Sequence, residues 1–148
     1  MDHGEALIKR HEGFSERVYI DTVGVPTVGW GHALHEGSPF PESASRILFD
    51  QDYHRAKMAV AGLAADGLIP SDLDEVRRAV LVNMAFNLGA AGLRKFKGTL
   101  GAVKRRDFKA AAGGMRASLW ARQVGKRAGE LCAMMESGAW PAYLNQPV

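Results

Sequence analysis

Cysteine is almost missing from this chain. Cys132 is the single one in 148 residues, so no intramolecular disulfide can form. Read as a small apolar residue inside a helix, it leaves stability to a packed core. Long apolar runs are also lacking. No stretch approaches the roughly 18 residues of a membrane-spanning helix, and the opening MDHGEALIKR holds no apolar leader segment. A chain of this kind is expected to be made in the cytosol, without stable membrane insertion, so that work outside the cell would require separate release. Internal repeats, low-complexity segments and flexible linkers are absent too. Tryptophan is scarce, and three of them are too few to argue a stacking platform from composition.

What is present describes an ordinary globular protein. The hydrophobic share is 47% and the charged share 24%, ordinary for a globular protein, which argues against disorder. A chain this long fits one domain, or two small lobes sharing a core, and can bury roughly 68–70% of its unfolded surface. The net charge is +3 and the pI about 9.2. That excess suits an anionic partner, whether nucleic acid, membrane surface or wall polymer, and selects none of them.

Along the chain, GEALIKRHE (4–12) reads as a short amphipathic helix with Ala6, Leu7 and Ile8 inward, stopped by Gly13. The β-branched and aromatic runs Val18–Ile20 and Pro26–Trp30 flank Thr22–Val25 and predict a hairpin. Gly29-Trp30-Gly31 permits tight bending and close approach of backbone to a ligand. ESASRILFDQDYHRAKMAVAGL has helical apolar spacing and predicts a helix of about 20 residues, broken by 64–70. SDLDEVRRAVLVNMAFNLG opens with a capping-type Ser71-x-x-Asp74 and closes on Gly89. Leu73, Val76, Val80, Met84 and Leu88 form its buried stripe, widened by Leu81. Helices near 99–105, 107–117 and 123–137 follow, then WPAYL. The expected fold is α+β and predominantly helical. A hairpin lobe (about 13–40) is joined by one helix (41–63) to a helical lobe (64–148 with 1–12), and the cleft between lobes would be a natural ligand site.

Three polar residues stand on the bent backbone of HEGFSERVYIDTVGVPTVGWGH. Glu12 ends a helix, where the unsatisfied carbonyls disfavour ionisation of a carboxyl. Such a group could donate a proton; it could equally be a solvated helix end. Asp21 begins a turn, where aspartate usually accepts from backbone N–H groups, and those groups would keep it ionised. Thr27 lies on the adjacent strand within reach of Asp21, and a carboxylate and a hydroxyl can hold one water between them. A carboxylic acid with a second carboxylate is the chemistry of glycoside hydrolysis.

The spacing Glu12-x8-Asp21-x5-Thr27-x-Gly29-x-Gly31-His32 resembles the catalytic signature of the tailed-phage lysozymes, glycoside hydrolase family 24. FDQDYHRA (49–56), DEVRRAVLVNMAFNLG (74–89), SLWARQVGKRAGELC and GAWPAYL resemble that family's later blocks, in order and over nearly the whole chain. The resemblance implies a two-lobed lysozyme-like fold and a muramidase acting on bacterial peptidoglycan. It would cut between N-acetylmuramic acid and N-acetylglucosamine, with inversion and without metal or cofactor. Glu12 would be the general acid, Asp21 the base or the electrostatic stabiliser, and Thr27 the residue that places water. His32 would bond Asp52 and fasten the hairpin lobe to the long helix. Arg127 would pair with the catalytic glutamate and orient it. Phe86, Asn87, Thr99, Trp120 and Gln123 align with positions lining or supporting the sugar cleft, although Phe86 and Trp120 read equally well as core. The resemblance also implies a monomer without nucleic-acid partners. It would be made in the host bacterial cytoplasm and released, with a holin's help, to act on the wall.

The chain departs from the family in places. Only 19 residues separate His32 from Asp52, which trims the outer part of the first lobe. Ala121 stands where many relatives carry tyrosine, and Gly113-Gly114 weakens a helix. Lys95, Lys97, Lys104, Arg105, Arg106 and Lys109 form a loose positive region, either a solvated surface or one drawn to anionic wall or outer-membrane polymers. Other readings stay open. A lytic transglycosylase needs one glutamate and no water, but retention of Asp21 and Thr27 argues against it. A silent wall-binding protein would need a broken triad. A nucleic-acid binder would need a basic motif denser than KRRDFK.

Overall fold

The computed structural model describes residues 2–145. Its elements are α1 (His3–Glu12), β1 (Ser15–Ile20), β2 (Pro26–Gly29), β3 (His32–Ala33), α2 (Glu42–Ala65), α3 (Glu75–Arg94), α4 (Lys97–Lys104), α5 (Phe108–Arg116), α6 (Leu119–Val124) and α7 (Lys126–Ser137), with a closing 3-10 turn at Ala142–Asn145. This is an α+β protein dominated by helix. The chain forms two compact units, residues 1–45 and 46–148.

In the first unit, Asp2 caps α1 by accepting from Gly4 N (2.8 Å) and Glu5 N (3.2 Å). Gly13, with φ of 69°, ends that helix and donates its N–H to Lys9 O. The expected inward turn of Ala6, Leu7 and Ile8 is not found there: α1 buries none of its residues. Strands of six, four and two residues make too small a sheet to cover a helix face. The sheet is an antiparallel meander in the order β1-β2-β3. Tyr19 pairs with Thr27 and Ile20 with Pro26, as a hairpin around 22–25 requires. A register shift between Ser15 and Tyr19 marks an irregularity in β1. Trp30 falls just outside β2, and β3 was not anticipated, since two residues carry no periodicity.

The second unit holds the core. Val76, Val80, Leu81 and Met84 of α3 are buried as expected, with Leu73 just ahead of the helix, while Leu88 is only partly buried. Val82 and Ala85 are buried too, so the helix is covered on more than one stripe. Its N-cap is Asp74, whose carboxylate accepts from Arg77 N at 3.0 Å, so Ser71 is not the cap. Gly89 breaks the helical conformation with φ of 74°, and a further turn continues to Arg94. On α2 the buried positions are Ala56, Val60 and Leu63. The helix expected near 123–137 is α7, which begins after Gly125 at φ of 63°, and a short helix not expected from the sequence, α6, precedes it. Ser118 caps α6 through Ala121 N.

Gly114 proves structural. A Cβ built there would lie 2.7 Å from Thr99 Oγ1, so the glycine lets α5 approach α4 closely.

Candidate functional site

Glu12 is the last residue of α1, and the chain leaves it through Gly13 into β1. Its carboxyl lies against the backbone of Gly31, between β2 and β3. A Cβ at Gly31 would come 2.5 Å from Glu12 Oε2 and 2.9 Å from Cδ. Gly31 has φ of 73°, which a side chain would resist in any case. The glycine therefore gives the carboxyl its place. Beside it, the Phe14 and Trp30 rings stand 4.6 Å apart, with Lys9 Nζ 4.6 Å from the Trp30 ring centre.

Asp21 and Thr27 meet through one residue, Val25. Asp21 Oδ1 accepts from Val23 N (2.9 Å) and Val25 N (2.8 Å), an Asx-type turn that closes the hairpin. Asp21 N donates to Val25 O at 2.9 Å. Thr27, a buried residue 4% exposed, donates its hydroxyl to the same carbonyl at 2.9 Å. These bonds have a chemical consequence. Thr27 has its proton committed to Val25 O, so it can only accept from a water. Asp21 has one oxygen held by the turn and Oδ2 without a hydrogen bond among the described residues. Two acceptors of this kind can take both protons of one water and leave its lone pairs facing outward.

His32 opens β3, its ring edge-on to Phe40 at 6.4 Å. Asp52, on α2 in the second unit, pairs with Arg55 Nη1 at 3.3 Å. Arg127 donates from Nε to Asn83 Oδ1 (2.8 Å) and from Nη2 to Asn83 O (3.1 Å). With Phe49, Tyr53, Phe86 and Trp140 these two line a groove of about 390 Å³. Phe86 is half exposed and tilted against Phe49, which favours the lining reading for it. Trp120 is 3% exposed and edge-on to Phe96, so for it the core reading holds. Its indole N–H donates to Asn87 Oδ1 at 3.2 Å, which makes Asn87 a support to the tryptophan. Thr99 is buried between α4 and α5, and Gln123 is exposed on α6. Sequence reading did not single out Asn83. An asparagine mid-helix carries no signal of its own, and only the fold brings residue 83 to residue 127.

The hairpin geometry, the helix-end glutamate and the helical unit together define a lysozyme-like protein. The sequence comparisons agree. A family model described as phage lysozyme matches residues 9–133, and the chain belongs to that family. It is 26% identical to probable T4-type lysozyme 2 of Dictyostelium discoideum, over 93% of this chain and 95% of the relative. Probable T4-type lysozyme 1 of the same organism is 25% identical over the same shares. The pre-baseplate central spike protein Gp5 of Enterobacteria phage T4 is 27% identical over 93% of this chain, which spans 28% of that longer protein. Membership of the family makes the protein a lysozyme, a peptidoglycan hydrolase.

Proposed function

We propose that the protein cleaves the β-1,4 bond between N-acetylmuramic acid and N-acetylglucosamine in peptidoglycan, with inversion at the anomeric carbon. Glu12 is the general acid that protonates the glycosidic oxygen. Asp21 is the base that draws a proton from the attacking water, and Thr27 fixes that water. The observation carrying this reading is the shared anchoring of Asp21 and Thr27 to Val25. An inverting glycosidase needs a water held by a carboxylate on the far side of the sugar ring, and a hydroxyl that can only accept is suited to orient one. Glu12, held against Gly31 in the same unit, supplies the second carboxyl. His32 and Asp52 act as structural supports, each within its own unit, and Arg127 braces α3 through Asn83.

The test uses a defined muropeptide oligomer and chloroform-treated cells. Inversion predicts α-anomeric product in the first NMR spectra and no anhydro ends. A β-anomer would overturn the inverting assignment, and 1,6-anhydromuramic ends would show a transglycosylase. Glu12→Gln should clear cells about 10²–10⁴-fold more slowly. A variant that clears at the wild-type rate would remove Glu12 from the mechanism.

A further inference from the structure

The positive charge of this protein is concentrated. Seven of its 19 lysines and arginines fall within residues 94–109, against one carboxylate, Asp107, so the rest of the chain is net acidic although the whole carries +3. Nearby acids offset only part of it. Asp66 pairs with Arg94 at 2.6 Å and Asp72 with Arg106 at 2.5 Å. Asp107 is occupied capping α5 through Ala110 N at 3.0 Å. Lys97 and Lys104 have no acidic partner among the described residues.

A groove of about 450 Å³ coincides with this charge, lined by Leu68, Arg94, Lys97, Leu100, Gly101 and Lys104. Lys97 and Lys104 are two helical turns apart on α4, about 10 Å along its axis. They therefore bracket the Leu100–Gly101 strip from the same side. Leu68 faces the strip and is 38% exposed. Gly101 offers no side chain, which keeps the floor low. A cationic rim over an apolar floor differs from what a bare polyanion needs. A phosphate backbone would engage the rim and leave the floor empty. An acidic phospholipid has both parts, a phosphate for the lysines and a glycerol with its first methylenes for the floor.

We propose that this face docks the protein on acidic phospholipid bilayers, with Lys97 and Lys104 around the phosphate and one lipid's glycerol region in the groove. The attachment is peripheral and separate from peptidoglycan cleavage.

The test is sedimentation of the full chain with phosphatidylcholine vesicles, with and without phosphatidylglycerol, at low and at physiological salt. The wild type should partition onto the phosphatidylglycerol vesicles only. Lys97→Gln with Lys104→Gln should weaken partitioning by about thirty-fold, on the order of five- to sixfold for each cation removed. Arg10→Gln with Arg46→Gln removes equal charge elsewhere and should bind nearly as the wild type. Gly101→Phe fills the floor. A Cβ there meets only Arg105 Nη1 at 3.4 Å, so the fold should accept it. That variant should keep low-salt attraction and lose binding at physiological salt, where screening leaves the groove to decide. The proposal is overturned if the wild type ignores the vesicles, or if the two double variants behave alike. Binding to soluble polyphosphate or DNA without vesicle binding would overturn it as well. Wild-type behaviour of Gly101→Phe at both salts would remove the groove from it.

Discussion

The carboxyl of Glu12 rests on the bare backbone of Gly31, where a single added carbon would stand 2.5 Å from Oε2. Gly31→Ala should therefore displace the carboxyl and also bear a positive-φ penalty. Gly29 makes the matching control: its φ is 65°, yet nothing lies within 4 Å of a Cβ built there. Both alanine variants should lose roughly 1–3 kcal/mol of stability from backbone conformation. Only Gly31→Ala should lose activity per folded molecule, by at least about tenfold, because a misplaced acid protonates poorly. Thermal melts paired with a turbidity assay separate the two effects. Equal activity of the pair would mean that Gly31 does not position the acid.

Asp21 has two tasks, closing the turn and carrying charge, and substitutions divide them. Asn keeps an oxygen for Val23 N and Val25 N but removes the charge. Ala removes both. Asp21→Asn should keep nearly wild-type stability while cell clearance falls by about 10²-fold or more. Asp21→Ala should fall as far in activity and lose about 1–2 kcal/mol besides, from two turn N–H groups left without their acceptor. Chemical denaturation of both variants, beside their clearance rates, checks this division.

Arg77 ties α3 to the end of α7. It donates to Met135 O at 2.7 Å and Glu136 O at 2.8 Å, and its guanidinium lies 3.6 Å from the Phe108 ring centre. Gly138 makes room for it, since a Cβ there would meet Nη1 at 2.7 Å. Arg77→Lys should cost about 2–4 kcal/mol, because an ammonium cannot match two carbonyls and a ring face at once. Urea midpoints would show it, and a loss below about 0.5 kcal/mol would contradict the estimate.

Gly114 and Thr99 should be energetically coupled. Gly114→Ala places a methyl 2.7 Å from Thr99 Oγ1 and should cost about 1–3 kcal/mol by overpacking. Thr99→Ala removes that oxygen, so the double variant should recover most of the loss. Additive effects in the double-mutant cycle would mean that the two side chains do not share the space.

Burial pushes the Cys132 thiol above its ordinary value, outweighing the opposing charge of Arg116. The folded state thus favours the protonated thiol. This contribution to stability is fully present below the unfolded thiol's titration range, and it is lost as pH rises through the raised folded value. A thiol reagent should leave the native protein unmodified at neutral pH and react at the rate of global unfolding in urea. Rapid labelling of the native state would show an accessible thiol. Cys132→Ser should flatten the alkaline loss of stability.

Much of this was legible in the residues themselves. The hairpin follows from β-branched runs on either side of a Thr-Val-Gly-Val turn, and α3 follows from an apolar stripe that ends on a glycine. Glu12, Asp21 and Thr27 stood out as candidates from their residue types and their places on bent backbone. The short helix α6 was hidden because six residues between Ser118 and Gly125 are too few to show a helical period. Gly114 shows a different error. Next to Gly113 it read as a flaw in α5, whereas the space beside Thr99 requires it.

By itself, then, the sequence determined what depends on near neighbours: the approximate course of most helices, the hairpin turn, and which residue types sit at chemically useful spacings. Tertiary structure alone decided which distant groups meet, as with Arg127 on Asn83, Trp120 on Asn87 and Arg77 on the end of α7. The reason is physical. Local backbone preferences act over a few residues, while a side chain's long-range partner is set by how helices pack, and packing leaves no periodic trace at the positions it joins.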